Sequence, residues 1–179
     1  MIVRPARVDD ARQIAAVSVS AWRAGYSGIM PDKTLDHFDL GTVESRWTRN
    51  LEEGRGSVIV LEAKRSPVLG FCMFGTSRNR GSEERPIEAP DTLGEVYALN
   101  VSAEHWGKGY GTELLACACK GLAAICYEEA ELWVSTQALR TRSFYEKCGW
   151  TESHETRTDS TFAIDVSVTR YFQVLEAQS

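Results

Sequence analysis

The amino-acid sequence predicts a three-layer α/β (α+β) fold, in which a mixed, mostly antiparallel sheet carries helices on both faces. Three observations favour this class. A strand over 91–101 leads through a glycine-rich loop into a helix. A second strand at 130–134 follows that helix, and a strand–helix–strand unit makes parallel neighbours. The chain closes on two runs, about 150–158 and 161–172, that alternate like an antiparallel hairpin.

The first part of the chain is predicted to hold one strand and three short helices. Ile2 to Ala6 is the strand, and Asp9 can cap the first helix. The second helix is expected to begin at Pro31, and the third to cover Glu44 to Glu53. The apolar positions of the first helix follow a helical stripe formed by Ile14, Val17 and Ala21.

The middle of the chain is predicted to form a hairpin and then a loop. The apolar runs Ser57 to Ala63 and Val68 to Thr76 flank a turn, which is typical of paired strands. Ser77 to Pro90 has charged, turn-prone residues and little periodicity, so we expect an exposed loop that could touch substrate. The helix after the glycine loop is expected to bury Leu114, Ala118, Leu122 and Ile125.

Composition restricts the class of protein and its partners. The 179 residues, 43% hydrophobic and 25% charged, suit a single domain over 1–179. The net charge of −5 gives no basic surface for nucleic acid and mildly favours cationic substrates. The charged N-terminus has no apolar signal core, and no run approaches the ~18 apolar residues of a membrane span. We therefore expect a cytoplasmic protein with no membrane segment.

Cysteine and histidine patterns predict neither disulfides nor a metal site. The cysteines are odd in number, form no Cys-x-x-Cys pair and lie in apolar or helical runs, so we expect reduced core thiols. The histidines are scattered singly, which is atypical of metal ligands. The residues concerned are Cys72, Cys117, Cys119, Cys126, Cys148, His37, His105 and His154.

The glycine-rich loop His105-Trp-Gly-Lys-Gly-Tyr-Gly-Thr112 predicts an anion site. Glycines at 107, 109 and 111 remove the β-carbons that would keep backbone N–H groups away from a phosphate. The helix that opens at about Tyr110 directs its N–H groups and positive dipole end to the same place. The loop is therefore interpreted as a cradle for pyrophosphate.

Spacing excludes the two commonest phosphate loops. A Walker loop needs glycine five residues before the Gly-Lys pair, where Ser102 stands. A dinucleotide loop needs Gly-x-Gly-x-x-Gly, but Gly107 and Gly109 lead to Thr112. The remaining pattern, Gln or Arg-x-x-Gly-x-Gly after a strand, resembles the acetyl-CoA loop of the GNAT family of N-acetyltransferases, with Trp106 in place of Gln or Arg.

A second motif strengthens the resemblance. Ala138 to Lys147 is predicted to be a helix that ends at Gly149, and Ser143-Phe-Tyr-Glu-Lys-Cys-Gly-Trp150 resembles the second CoA motif of the family. Ala138 stands where many members have asparagine, with Gln137 adjacent. The resemblance implies the acyl-CoA N-acyltransferase fold, in which two central parallel strands splay apart.

The resemblance also implies acetyl-CoA as cosubstrate and the residues that hold acetyl-CoA. The pantetheine arm would pair with strand backbone near Leu99 and Val101. The pyrophosphate would lie on the loop, with Gly109 and Gly111 as its fixed small positions. The loop residues concerned are Gly107, Lys108, Gly109, Gly111 and Thr112.

The chemistry implied is the attack of an amine on a thioester, which needs a base because an ammonium must first lose a proton. Glu95 lies eleven residues before Trp106, the separation at which histone acetyltransferases of the family place their catalytic glutamate. Tyr145 is where the family often has the tyrosine that protonates the departing thiolate. The alternatives are a solvated strand-start charge for Glu95 and a packed aromatic for Tyr145.

The acceptor stays open at this point. The resemblance implies that Trp22, Tyr26 and Tyr97 are candidates for substrate contact, although all three could be core residues. The first hypothesis is acetylation of a primary amine on a small molecule. The alternatives are a protein or peptide acetyltransferase acting on N-terminal or lysine amines, and a non-catalytic acyl-CoA sensor or interaction module. An exposed edge strand near the C-terminus could pair two copies as a homodimer.

Overall fold

The computed structural model describes residues 1–28, 39–63, 67–78, 92–159 and 165–176. These residues form seven strands and four α-helices. The strands are β1 (Ile2–Pro5), β2 (Ser57–Glu62), β3 (Val68–Thr76), β4 (Leu93–Val101), β5 (Glu129–Ser135), β6 (Thr151–Asp159) and β7 (Val166–Val174). The helices are α1 (Ala11–Tyr26), α2 (Leu40–Glu52), α3 (Tyr110–Ala124) and α4 (Leu139–Lys147).

The strands form one mixed sheet in the order β1-β2-β3-β4-β5-β7-β6. Strand β2 pairs antiparallel with β1 and β3, and β7 pairs antiparallel with β5 and β6. Strands β4 and β5 pair in parallel, with Leu93–Glu95 beside Glu129–Glu131. The predicted fold class is confirmed, and the parallel register sets Glu95 directly beside Glu131.

The described residues fall into two compact units, Met1–Phe74 with Ala98–Ala118, and Gly75–Tyr97 with Cys119–Ser179. In the first unit Trp47 of α2 packs edge-on against Phe71, with ring centroids 4.7 Å apart. A β-carbon on Gly70 would come within 2.9 Å of the Asn100 carbonyl oxygen, so only glycine fits this crowded position. The largest fully buried side chains of the first unit are Ile14, Val60, Leu61, Phe71, Cys72 and Leu114.

The second unit combines an apolar core with buried charge. A β-carbon on Gly94 would lie 2.7 Å from Leu122, so α3 packs closely against β4 there. Leu122, Leu132 and Tyr171 are fully buried, as expected for a core. Glu95 and Glu131 are buried as well, which is unusual for carboxylates and requires partners.

The starts of two predicted helices were wrong. Asp9 lies in a short 3-10 turn, Val8–Asp10, and α1 begins after it at Ala11. The neighbouring carboxylate of Asp10 accepts the Arg7 backbone N–H at 2.7 Å. The helix expected from Glu44 begins four residues earlier, at Leu40, because the Asp39 side chain caps it by accepting the Thr42 N–H at 2.9 Å.

Other local predictions also need correction. Ile125 is 58% exposed because α3 ends before it, at Ala124. Cys126 is exposed rather than a core thiol. Ser77 is buried rather than part of an exposed loop, since its hydroxyl bonds to a buried carboxylate. The helix expected at Pro31, most of the predicted loop and His37 lie outside the described residues.

The described ranges contain neither a membrane-spanning helix nor a cluster of metal ligands. Within these ranges, no helix has the length and apolar character needed to cross a membrane. The same ranges contain no group of three or more His, Cys, Asp or Glu side chains that could hold a metal ion.

Candidate active site

The glycine loop has the geometry of an anion cradle. Gly107 and Gly109 have φ angles of 77° and 83°, in the left-handed region that favours glycine. A β-carbon at either position would have no neighbour within 4 Å, so both face open space. Helix α3 then begins at Tyr110, and the Glu113 N–H bonds the Gly109 carbonyl at 3.1 Å. The first turn therefore points backbone N–H groups out of the helix, toward the loop side.

The residues of this loop fit the pyrophosphate of acetyl-CoA. Exposed glycine backbone allows close approach, and the positive end of a helix dipole favours an anion. The exposed Lys108 ammonium adds a cation, 3.1 Å from the His105 Nδ1. The structure brings the five predicted loop residues, Gly107, Lys108, Gly109, Gly111 and Thr112, into one loop and one helical turn.

Trp106 connects the glycine loop to strand β4 and helix α1. Its indole N–H donates to the Val101 carbonyl at 2.7 Å, and its ring lies 3.9 Å from where a β-carbon on Gly25 of α1 would be. Ser20 of α1 also accepts the Ala103 N–H at 3.2 Å. In this chain the residue that replaces Gln or Arg therefore holds the end of β4. The Val101 carbonyl, expected to pair with pantetheine, already accepts this indole and has a second lone pair.

Replacing Trp106 by phenylalanine is expected to weaken acetyl-CoA binding roughly five- to tenfold. The change removes one hydrogen bond, worth about 1 kcal/mol, from the Val101 carbonyl and loosens the loop. Trp47→Phe is the matched control, because it removes a similar bond, to Ser18 at 3.1 Å, in the core beneath α2. Titration calorimetry should show unchanged affinity for that control, and equal losses in both variants would contradict a positioning role for Trp106.

Glu95 is a buried carboxylate with three donors. It is 1% exposed, so it is not a solvated charge at a strand start. The Arg78 backbone N–H donates to Oε2 at 2.7 Å, and the Arg78 Nε and Nη2 groups donate to Oε1 at 3.0 and 2.5 Å. Sequence reasoning missed Arg78, because no periodic pattern links it to a glutamate on the next strand.

Tyr97 contacts the same cation, the Arg78 guanidinium. It lies two residues after Glu95, on the same face of β4. The Arg78 guanidinium lies over its ring, 4.5 Å from the centroid. The Tyr97 hydroxyl donates to the Thr76 carbonyl at 2.5 Å, and a β-carbon on Gly75 would lie 2.7 Å from that hydroxyl. The predicted catalytic and substrate residues of β4 thus contact one guanidinium group.

The charges of this cluster are well defined. Burial, followed by the negative charge of Glu95, raises the pKa of Tyr97 to about 12, so the phenol stays neutral. Burial lowers the pKa of Arg78, but its hydrogen bond and attraction to Glu95 outweigh burial and raise that pKa overall. Arg78 therefore keeps its positive charge, and its guanidinium lies between the Glu95 carboxylate and the neutral Tyr97 ring.

A second buried carboxylate, Glu131, lies directly beside the first. It is 0% exposed and stands opposite Glu95 in the parallel register. The Ser77 hydroxyl donates to it at 2.5 Å and the Arg170 Nε at 2.6 Å. Arg170 also bonds Glu155 at 3.2 Å. The predicted strand contained Glu131, but its role as a buried ion-pair partner was missed, because Arg170 lies 39 residues further along the chain, on the neighbouring strand β7.

Tyr145 lies on α4, buried among aromatic rings. The ring centroids of Phe144, Trp150 and Tyr171 are 5.1, 6.2 and 6.3 Å from its own. The helix begins after Ala138, whose N–H bonds the Ser135 carbonyl at 3.0 Å. Packing thus holds Tyr145 in place, and its part in proton transfer remains a prediction.

The other predicted substrate contacts lie on α1. Trp22 and Tyr26 stack at 4.5 Å between ring centroids, with an angle of 20° between the rings. Both are half-buried, so each keeps an accessible edge. They belong to the first unit, whereas Tyr97 belongs to the second.

Comparison with known proteins agrees with this geometry. The model of the acetyltransferase (GNAT) family matches residues 21–150. The protein named uncharacterized N-acetyltransferase YuaI of Bacillus subtilis (strain 168) is 30% identical over 135 residues, 75% of this chain and 72% of that protein.

Solved structures share the fold. A ribosomal-protein-alanine N-acetyltransferase from Brucella melitensis has a TM-score of 0.70 at 19% identity, over 98% of this chain and all of that one. The acetyltransferase YncA from Salmonella typhimurium, solved with acetyl-CoA, has a TM-score of 0.67 at 19% identity, over 100% of this chain and 96% of that one.

The sheet order and the open glycine pair at a helix start define an acyl-CoA N-acyltransferase fold with a place for a CoA pyrophosphate. The chain belongs to the acetyltransferase (GNAT) family. It is an acetyl-CoA-dependent N-acetyltransferase.

Proposed function

We propose that this enzyme acetylates a primary amine of a small molecule, with Glu95 as general base and Tyr145 as general acid. The observation that supports it most is the buried Glu95 carboxylate, which already holds a cation against the Tyr97 ring. A carboxylate beside an aromatic face is a recognition site for ammonium and guanidinium groups. An acceptor amine arrives as an ammonium, so the same two groups suit it.

The proposed roles follow from the proton balance of the reaction. When bound, acetyl-CoA supplies a thioester carbonyl carbon and a thiolate leaving group. Glu95 takes the proton that the ammonium loses, and the freed lone pair forms the new N–C bond as the C–S bond breaks. The Tyr145 hydroxyl gives its proton to the departing sulfur and regains one from the acetylated nitrogen, which loses its second proton as the amide forms. Acid and base steps supply ~10² to 10⁴-fold each, whereas positioning can remove ~7 to 11 kcal/mol of barrier.

Glu95→Gln is expected to lower kcat by roughly 10² to 10⁴-fold while acetyl-CoA affinity stays the same. The glutamine cannot accept the proton, so the acidic limb of the pH–rate profile should disappear. Tyr145→Phe should slow turnover in the same range, with cofactor binding kept. Thiol release measured across pH, with calorimetry for binding, checks both variants.

Glu62→Gln is the matched control, because Glu62 is also an arginine-paired carboxylate, bonded to Arg4 at 2.8 Å, but on β2. It should keep the wild-type rate and profile. A Glu95→Gln enzyme with an unchanged pH–rate profile would remove Glu95 from the mechanism.

A peptide amine is the second candidate acceptor. It too would present an ammonium to Glu95, and one protein of the same fold is a ribosomal-protein-alanine N-acetyltransferase. The acceptor screen should therefore pair small amines with peptides that carry N-terminal alanine or a free lysine. Turnover of peptides alone would replace the small-molecule proposal.

A further inference from the structure

The two neighbouring buried carboxylates differ in how accessible their arginines are. Glu95 and Glu131 are paired across β4 and β5, and each is at most 1% exposed. The side chain of Arg170, the partner of Glu131, is 7% exposed. The side chain of Arg78, the partner of Glu95, is 58% exposed. One ion pair is closed to solvent, and the other has its cation at the surface.

We propose that the Arg78 guanidinium occupies the position that a cationic acceptor takes, and that Arg78 thereby selects acceptors whose amine arrives as an alkylammonium. This inference rests on the proposed function, in that the acceptor is an amine bound at Glu95. Arg78 is a specificity-determining residue here, because its guanidinium competes with the acceptor for the Glu95 carboxylate.

The hydrogen bonds at Glu95 are divided in a way that permits exchange. Oε2 is bonded by the Arg78 backbone N–H, which stays in place if the side chain moves. Oε1 is bonded only through the Arg78 side chain, by Nε and Nη2, among the bonds described for it. Departure of the guanidinium therefore frees one oxygen and leaves the carboxylate oriented. The freed oxygen is the atom that would bind the ammonium and then take its proton.

The exchange has to be one cation for another. A buried carboxylate left without a partner is strongly unfavourable, so Arg78 leaves readily only when another cation enters. The displaced guanidinium enters water through the exposed side of its site, and there it regains the solvation that partial burial withholds from it. The negative charge of Asp159 also acts on Arg78, so the surroundings favour a cation in that position.

Tyr97 supplies the second element of selection. Its ring faces the cation at 4.5 Å, and its hydroxyl is held by the Thr76 carbonyl. A cation over an aromatic face is favoured over a neutral group of the same size. The pair of Glu95 and Tyr97 therefore selects by charge, and neutral or anionic acceptors cannot replace Arg78.

Methylguanidinium rescue of Arg78→Ala tests this directly. At about 10 mM, methylguanidinium chloride should raise the Tm of Arg78→Ala by roughly 3 to 6 °C relative to equal sodium chloride, since a ligand that binds only the folded state stabilises it. The wild type, whose site is filled by Arg78, should shift by less than about 1 °C. Arg78→Gln, which keeps a polar side chain but removes the charge and ends short of the guanidinium position, should respond like Arg78→Ala.

Two controls separate specific binding from general effects. Arg78→Ala combined with Glu95→Gln lacks the buried charge and should show no rescue. Arg170→Ala removes the partner of Glu131, whose ion pair is closed to solvent. Because methylguanidinium has no entry path there, this variant should show no rescue either. Absence of rescue in both Arg78 variants, or equal rescue in all proteins, would overturn the proposal.

The outcome is independent of acetyl transfer. Rescue without turnover by any amine would leave the cation site standing and remove the proposed function. Turnover with a Glu95-dependent pH profile but no rescue would keep the proposed function and overturn the cation site. Once an acceptor is known, Arg78→Gln should lower its KM roughly fivefold or more if it is cationic, because the internal competitor is gone, and should leave the KM for acetyl-CoA unchanged.

Discussion

Acetyl-CoA binding is expected to be lost when Gly109 is replaced by tryptophan. Gly109 has a φ of 83°, which a residue with a β-carbon adopts only with strain. The new side chain would also fill the open space in front of the loop, where the pyrophosphate needs backbone N–H groups. Titration calorimetry should show an affinity at least ~100-fold lower, which is about 2.7 kcal/mol.

Gly54→Trp is the matched control for this variant. Gly54 has a φ of 60°, and a β-carbon there would also have no atom within 4 Å, so the backbone strain and exposure are similar. It follows α2, remote in sequence from the loop, and its variant should bind acetyl-CoA normally. Normal binding by Gly109→Trp would mean that the loop does not hold the cofactor.

Arg170→Ala is expected to destabilise the fold by about 3 to 5 kcal/mol, since it leaves the Glu131 charge buried without its strongest partner. For a chain of this size the Tm should fall by roughly 6 to 20 °C. Urea unfolding monitored by circular dichroism measures the loss.

Arg55→Ala provides the comparison, because Arg55 pairs with Glu53 on the surface, with both side chains well exposed. Surface pairs contribute about 1 kcal/mol or less. If both variants lost the same small amount, the Glu131–Arg170 pair would not be a structural element of the second unit.

The two buried carboxylates differ in the exposure of the groups that bond them. Glu131 is bonded by Ser77 and Arg170, both of which are buried. Glu95 depends on an exposed side chain for the bonds to one oxygen. We therefore propose a stabilising role for Glu131 and exchangeable binding for Glu95.

The sequence alone determined the parts of this protein whose chemistry is local. The glycine loop was predictable because positive φ angles and a helix start depend on adjacent residues, as Gly107, Gly109 and Tyr110 show. The hairpin of β2 and β3 followed from periodicity, and helix α4, which ends two residues before Gly149, followed from that glycine. Glu95 was proposed from the resemblance to histone acetyltransferases of the family, which place their glutamate eleven residues before the position of Trp106, and its partners were not predicted.

Only the tertiary structure decided which charges meet. Arg78 reaches Glu95 from 17 residues away, and Arg170 reaches Glu131 from 39. Nothing in a periodic pattern distinguishes Arg78, half exposed, from Arg170, which is buried. Hydrophobic periodicity reports which face of an element is buried, whereas an ion pair depends on distance in space, and the folded sheet sets that distance.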